Sequence, residues 1–165
     1  MSRREEHLWQ FEDFEVGDSG VTNGRTITEA DIVNYCGISG DYHPAHADDV
    51  YARKTPLGAR IAHGLFITGM ISGLLERDAP HVLGTRSAAM AFLGVDDWRF
   101  KHPVIAGDTV RVRWTVQMLR TTSRPGVGII EYGMEVLNQD DIAVQQGKFR
   151  FLLPMQVTQS EGGLA

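Results

Sequence analysis

Asp41, His43 and His46 lie together in one short stretch, S-G-D-Y-H-P-A-H-A-D-D, residues 39–49. A carboxylate beside an imidazole can take a proton from water and return it near neutral pH. Pro44 lacks the N–H that a continuing helix needs and pushes His43 toward extended backbone, so no helix is expected to run through the stretch. Gly40 permits a tight bend before it. The side chains of Asp41 and His46 are therefore expected to flank a constrained turn and converge on one point. A second candidate lies downstream in R-I-A-H-G-L, residues 60–65. Gly64 is expected to open a helix, whose first turn leaves backbone N–H groups unsatisfied at the positive end of the dipole. A glycine there lets a ligand oxygen approach closely. Its N–H can hold a developing oxyanion, such as a thioester carbonyl turning into an enolate. A proton-moving pair with an oxyanion donor suits adding water to an α,β-unsaturated thioester, or removing it.

These groups need elements to position them. Thr28 followed by Glu29, Ala30 and Asp31 reads as an N-cap with acidic residues in the first helical turn, and Gly37 and Gly40 close that helix. A short helix is expected over 47–54, before Thr55-Pro56. The stretch G-L-F-I-T-G-M-I-S-G-L-L-E-R, residues 64–77, is apolar on more than one face, which predicts a helix buried nearly all round. Gly69, Ser72 and Gly73 supply small positions where another backbone can approach. The second half reads as strands. Residues 87–104 form an extended, bent strand. In D-T-V-R-V-R-W-T-V, Val110, Val112, Trp114 and Val116 alternate with Arg111, Arg113 and Thr115, the period of a half-buried strand. Two more strands follow, across the turn signals S-R-P-G and N-Q-D-D. Short turns between consecutive strands imply an antiparallel meander. The fold class is α+β, with one long central helix held in a curved antiparallel sheet.

Length and composition bound the rest. The chain has 165 residues, 42% hydrophobic and 22% charged. One domain over 1–165 is the simplest reading, with a core over about 8–154 and frayed ends at 1–7 and 156–165. A net charge of −5 speaks against a nucleic-acid partner. The most apolar run, 65–75, is shorter than the about 20 residues that span a bilayer, and no secretory signal is read at the start. With Cys36 the single cysteine, a soluble cytoplasmic protein without disulfides is expected, the thiol buried as a small apolar group. His7, His81 and His102 are expected to be exposed, and Trp9, Trp98 and Trp114 to be core or edge aromatics.

The paired motifs G-D-Y-H-P-A-H and A-R-K-T-P-L-G-A-R-I-A-H-G-L resemble the MaoC-like, (R)-specific enoyl-CoA hydratase family of hot-dog proteins. Its usual signature is G-D-x-N-P-(aliphatic)-H followed by the H-G that opens the central helix. The resemblance runs more loosely from about Phe11 to Pro154. It implies a hot-dog fold, a homodimer, an acyl-CoA or acyl-carrier thioester substrate and (R) stereochemistry. By motif position it makes Asp41 and His46 the catalytic pair and the Gly64 N–H the oxyanion donor. Two positions depart from the signature: His43 stands in place of asparagine, and Ala45 in place of a large aliphatic residue, leaving more room near the pair.

The expected function is reversible hydration of a trans-2-enoyl thioester to a 3-hydroxyacyl thioester. His43, His63 and Arg60 are further candidates for contact with the substrate, although the His63 side chain is expected first to pack or hydrogen-bond within the fold. Arg53, Lys54 and Arg60 are candidates for contact with its phosphates, with a solvated charged surface as the other reading. No metal, flavin or nicotinamide is expected, since G-x-G-x-x-G and P-loop motifs are missing. Asp41, His43, His46 and His63 contain the two histidines and carboxylate of an iron-binding set, but the H-P-A-H spacing lacks the helical geometry that would put two ligands on one face. Two alternatives stand beside hydration: a hot-dog thioesterase, and a non-catalytic acyl-CoA-binding or assembly subunit, which the departure at His43 favours.

Overall fold

The computed structural model describes residues 7–156; the ends expected to fray lie mostly outside them. Thr28 caps the first helix, α1 (Glu29–Ser39): its hydroxyl accepts from the Asp31 N–H, and the Asp31 carboxylate accepts from the Thr28 N–H. This reciprocal capping satisfies two donors of the first turn. Gly40 ends the helix in the left-handed region, at φ 74°, where glycine carries no side-chain penalty.

The segment expected to form one helix over 47–54 divides in two. Pro44 opens α2 (Pro44–Ala47) at its first position, and Asp48 then caps α3 (Asp49–Ala52). Proline is at home in a first turn, where its missing N–H has no helical acceptor to lose. The proline thus starts a short helix rather than excluding one, and His46 sits inside it.

The long helix α4 (Gly64–Asp78) lies against an antiparallel sheet of β1 (Ser19–Val21), β2 (Arg25–Thr26), β3 (Ala91–Phe100), β4 (Thr109–Thr121), β5 (Val127–Leu137) and β6 (Ala143–Pro154). The order is β1-β4-β5-β6-β3, with β2 also pairing β4. The two short strands escaped the sequence reading. Ile67, Ile71, Leu74 and Leu75 of α4 are buried together with Val110, Val112 and Val116 of β4 and Ile130, Tyr132 and Met134 of β5. The alternation expected along β4 holds, with Arg111 and Arg113 turned to Asp141 and Glu135 on the other face.

One expectation is corrected. The helix α4 is not covered all round: Leu65 is 66% exposed, and Gly69, Ser72 and Gly73 are exposed with it. The sheet of a single chain reaches only one side of the helix. Among the described residues no helix is long and apolar enough to cross a membrane.

Strand β3 forms the far edge of the sheet and carries two irregularities against β6. At the second, Asp97 adopts φ 52°. An extra residue there re-aims the next side chain. Trp98 crosses over Gly147, where a side-chain carbon would collide with its ring.

Candidate active site

The proton-handling groups are set by a ladder of short bonds. In the loop before α2, the Asp41 carboxylate accepts from the His43 N–H at 3.0 Å. Chiefly this bond, helped by the nearby imidazoles, holds the Asp41 carboxyl below the ordinary carboxylate range. At the start of α2, His43 Nδ1 accepts from the Ala45 N–H at 3.2 Å. The δ atom of an asparagine would sit in the same place along the side chain, so His43 keeps the capping ability of the residue it replaces. Ala45 is buried and does not line the neighbouring cavity, so its small size opens no space there.

His46 is half-buried and oriented by main chain. Its Nδ1 lies 2.8 Å from the Ile61 carbonyl. A carbonyl only accepts, so Nδ1 carries the proton and Nε2 keeps its lone pair. The Ile61 N–H donates in turn to the Ala45 carbonyl, and the neighbouring Ala62 N–H donates to the Val104 carbonyl. The loop is thereby tied to residue 61, and residue 61 to the sheet side of the molecule.

His63 lies beneath the pair, packed and hydrogen-bonded as expected of it. It is 4% exposed, its Nε2–H donates to the Asp41 carbonyl at 2.9 Å, and its ring stacks on His46 with centroids 3.7 Å apart. A ligating atom from each of Asp41, His46 and His63 lies within 4.8 Å of the others. The side chains of Asp41 and His46 therefore do converge. The third group of the cluster is His63 rather than His43. A metal ion would find His46 Nδ1 committed to Ile61 and His63 Nε2 committed to Asp41.

The other half of the site is the start of α4. His63 occupies the N-cap position without a side-chain capping bond, so the first-turn N–H groups, Gly64 among them, receive no cap from it. The Gly64 carbonyl accepts from Gln145 Nε2 at 3.0 Å and from Thr68 Oγ1 at 3.1 Å. Gln145 is 2% exposed, and its Oε1 accepts from Trp98 Nε1 at 3.2 Å. Gln145 is not among the sequence candidates, and Trp98, expected as a core or edge aromatic, packs as one without its bond to Gln145 being foreseen; the one signal available was a glutamine inside an apolar strand.

Gly64 also has a second reason to be glycine. A side-chain carbon at position 64 would come within 2.6 Å of the Phe100 ring. A cavity of about 480 Å³ opens here, walled by Leu57, Ile61, Gly64, Leu65, Phe100 and Val104 among others. Asp41 and His46 do not line it; it adjoins their loop through Ile61 and the oxyanion candidate through Gly64.

Arg60 is placed differently from the expectation. Its guanidinium pairs with Glu29 at 2.5 Å and Asp49 at 2.7 Å, and its side chain is 16% exposed. It also donates to the His46 carbonyl at 3.4 Å. Arg60 therefore ties α1, α2 and α3 together rather than standing free for a phosphate. Arg53 and Lys54 are exposed. Cys36 is buried, 4.0 Å from His63 Nε2. His7 and His102 are exposed, whereas His81 is half-buried between Trp9 and Trp114. Burial lowers its tendency to hold a proton.

The fold is the hot-dog fold, and the chain superposes on the X-ray structure of the monoamine oxidase regulatory protein from Archaeoglobus fulgius. That match has a TM-score of 0.83 and 28% identity over 91% of this chain and 97% of the other. The MaoC like domain matches residues 13–136, and the chain belongs to that family. It is 39% identical over 117 residues to the (R)-specific enoyl-CoA hydratase of Rhodospirillum rubrum, covering 70% of this chain and 75% of that protein. It is 43% identical over 105 residues to protein MaoC of Klebsiella aerogenes, covering 64% of this chain but only 30% of that much longer protein.

Proposed function

We propose that the protein is a hydro-lyase that adds water reversibly to a trans-2-enoyl thioester of coenzyme A or an acyl carrier, giving the (R)-3-hydroxyacyl thioester. The observation that carries this reading is the convergence of the Asp41 carboxylate and the His46 and His63 rings, a ligating atom of each within 4.8 Å of the others, beside the start of α4, which receives no side-chain cap from His63. In hydration, His46 Nε2 and the Asp41 carboxylate hold a water molecule between them. The water gives one proton to the pair as its oxygen bonds to C3 and the C2=C3 double bond opens. A proton is delivered to C2 from the pair, and the thioester stays intact. The Gly64 N–H stabilises the enolate oxygen that forms on the way. The Rhodospirillum relative, named for (R)-specific enoyl-CoA hydration, supports the substrate class and the stereochemistry.

The reading extends to assembly. The exposed side of α4 and the edge strand β3, with Phe92, Leu93, Val95 and Phe100 all more than 40% exposed, offer an unpaired strand and an apolar surface of the kind that calls for a partner. A second copy of the chain is the partner we propose, making a homodimer of single-domain subunits. The buried lone thiol suits the cytoplasm, the compartment we propose.

The test is the loss of enoyl-thioester absorbance with crotonyl-CoA, comparing the wild-type chain with Asp41→Asn. Turnover that falls at least about a hundredfold in the variant is the expected result, the scale of a lost general acid–base group. Release of free thiol would instead assign a thioesterase. Binding without turnover would assign a non-catalytic subunit. His43 caps α2 as an asparagine can, which supports the hydratase over the latter.

A further inference from the structure

We propose that His63 is a positioning residue for the Asp41–His46 pair, gripping the Asp41 main chain with one ring nitrogen and supporting the His46 ring with its face. The inference rests on the hydratase reading of the site. It starts from a polar atom that has no partner among the described residues: His63 Nδ1 is buried without a hydrogen bond to any of them, while Nε2 donates to the Asp41 carbonyl at 2.9 Å. An apolar residue would fill the same space without that orphan nitrogen. A flexible amide would supply the donor without a flat face. Histidine offers both an aromatic face and a donor at that reach, and both are in use.

The consequence falls on His46. Its ring lies 3.7 Å from that of His63, with planes 25° apart. When His46 takes a proton from water, positive charge develops against the face of the His63 ring, and a ring face favours the charged form. The other groups facing this pair of rings are few. Asp41 and His43 lie on the same loop and Arg60 reaches the His46 carbonyl. Cys36 and Tyr35 of α1 back the His63 ring.

Two substitutions separate the two jobs. His63→Gln keeps a donor at similar reach and removes the face. His63→Phe keeps the face and removes the donor. Circular dichroism and thermal melting establish that each is folded before kinetics. With crotonyl-CoA, His63→Phe is expected to lower kcat about tenfold, with KM and the acid limb of the kcat/KM profile unmoved. His63→Gln is expected to move that limb to lower pH by about half a unit, because the charged form of His46 has lost its support. A residue that only fills the core changes the melting temperature and moves neither readout. Folded variants with wild-type kcat and a wild-type acid limb overturn the proposal. If the wild-type chain hydrates nothing, the functional reading fails by itself. The titration of the His46 ring protons by NMR in wild type and His63→Gln then decides the stacking role: a displaced curve supports it, and superimposable curves overturn it.

Discussion

The two halves of the site are built in different ways. The proton-handling half is local: Asp41 is tied to His43 and His43 to Ala45, each two residues apart. The carbonyl-holding half is assembled across the chain. Gly64 is held by Gln145, and Gln145 by Trp98, over separations of 81 and 47 residues. His46 and His63 join the halves, through Ile61 on one side and Asp41 on the other. A local half can tolerate changes in the sheet. A long-range half depends on the whole fold for its alignment.

That contrast orders the effects of substitution. The largest falls on the local half: His46→Gln removes the group that accepts the proton. It is expected to cut kcat at least about a hundredfold with the melting temperature nearly unchanged, since His46 is only half-buried. Loss of fold together with activity would show that the local half is not independent of the core.

Gln145→Leu should behave in the opposite manner. It leaves Trp98 Nε1–H and one lone pair of the Gly64 carbonyl without their partner inside the protein. Unmet buried groups cost about 1–3 kcal/mol each, so denaturant unfolding should show a loss of about 2 kcal/mol. The turn of α4 that presents the Gly64 N–H loses its anchor as well, and kcat is expected to fall about tenfold. Activity lost without stability would mean that Gln145 meets the substrate directly.

The same contrast explains what was readable in the sequence. Asp41, His46 and Gly64 stood out because residue type, a proline and a glycine act on their immediate neighbours. The N-cap at Thr28 and the alternation along β4 were legible for the same reason. The roles of Gln145 and Phe100, and the bond from Trp98 to Gln145, were not, because nothing near them in the chain announces a partner many tens of residues away. His63 is packed and hydrogen-bonded as its place before Gly64 suggests, but its partners in α1 are invisible locally, because Tyr35 and Cys36 reach it only when that helix packs behind it. Arg60 drew notice as a free cation, yet Glu29 and Asp49 reach it only once three helices have come together. The exposed side of α4 was misjudged because an apolar sequence says that a face must be covered, not whether the same chain covers it.

A smaller effect tests the cap at His43. His43→Ala removes the acceptor for the Ala45 N–H and should cost about 1 kcal/mol, the usual worth of an N-cap. It should also lower kcat severalfold as α2 loosens. His43→Asn should restore both, because the δ oxygen of asparagine accepts in the same place. Equal behaviour of the two variants in unfolding and turnover would show that His43 does something other than cap.

The smallest effect lies at the opposite end of α4. Asp78 accepts from Arg77 and from the Asn23 N–H, and chiefly the Arg77 guanidinium lowers its carboxyl pKa to about 2. The folded value lies below the ordinary aspartate value of about 3.9, so the unfolded chain binds a proton more readily than the folded one. The contribution to stability is therefore fully present above about pH 4 and fades as pH falls toward 2. Asp78→Asn should shift the denaturation midpoint modestly at pH 6, and wild type and variant should converge near pH 2. Turnover at pH 7 should stay unchanged, because the residue touches neither half of the site. If Asp78→Asn lowered kcat, the halves would be coupled along the whole length of α4, and the division between a local and a long-range half would fail at its far end.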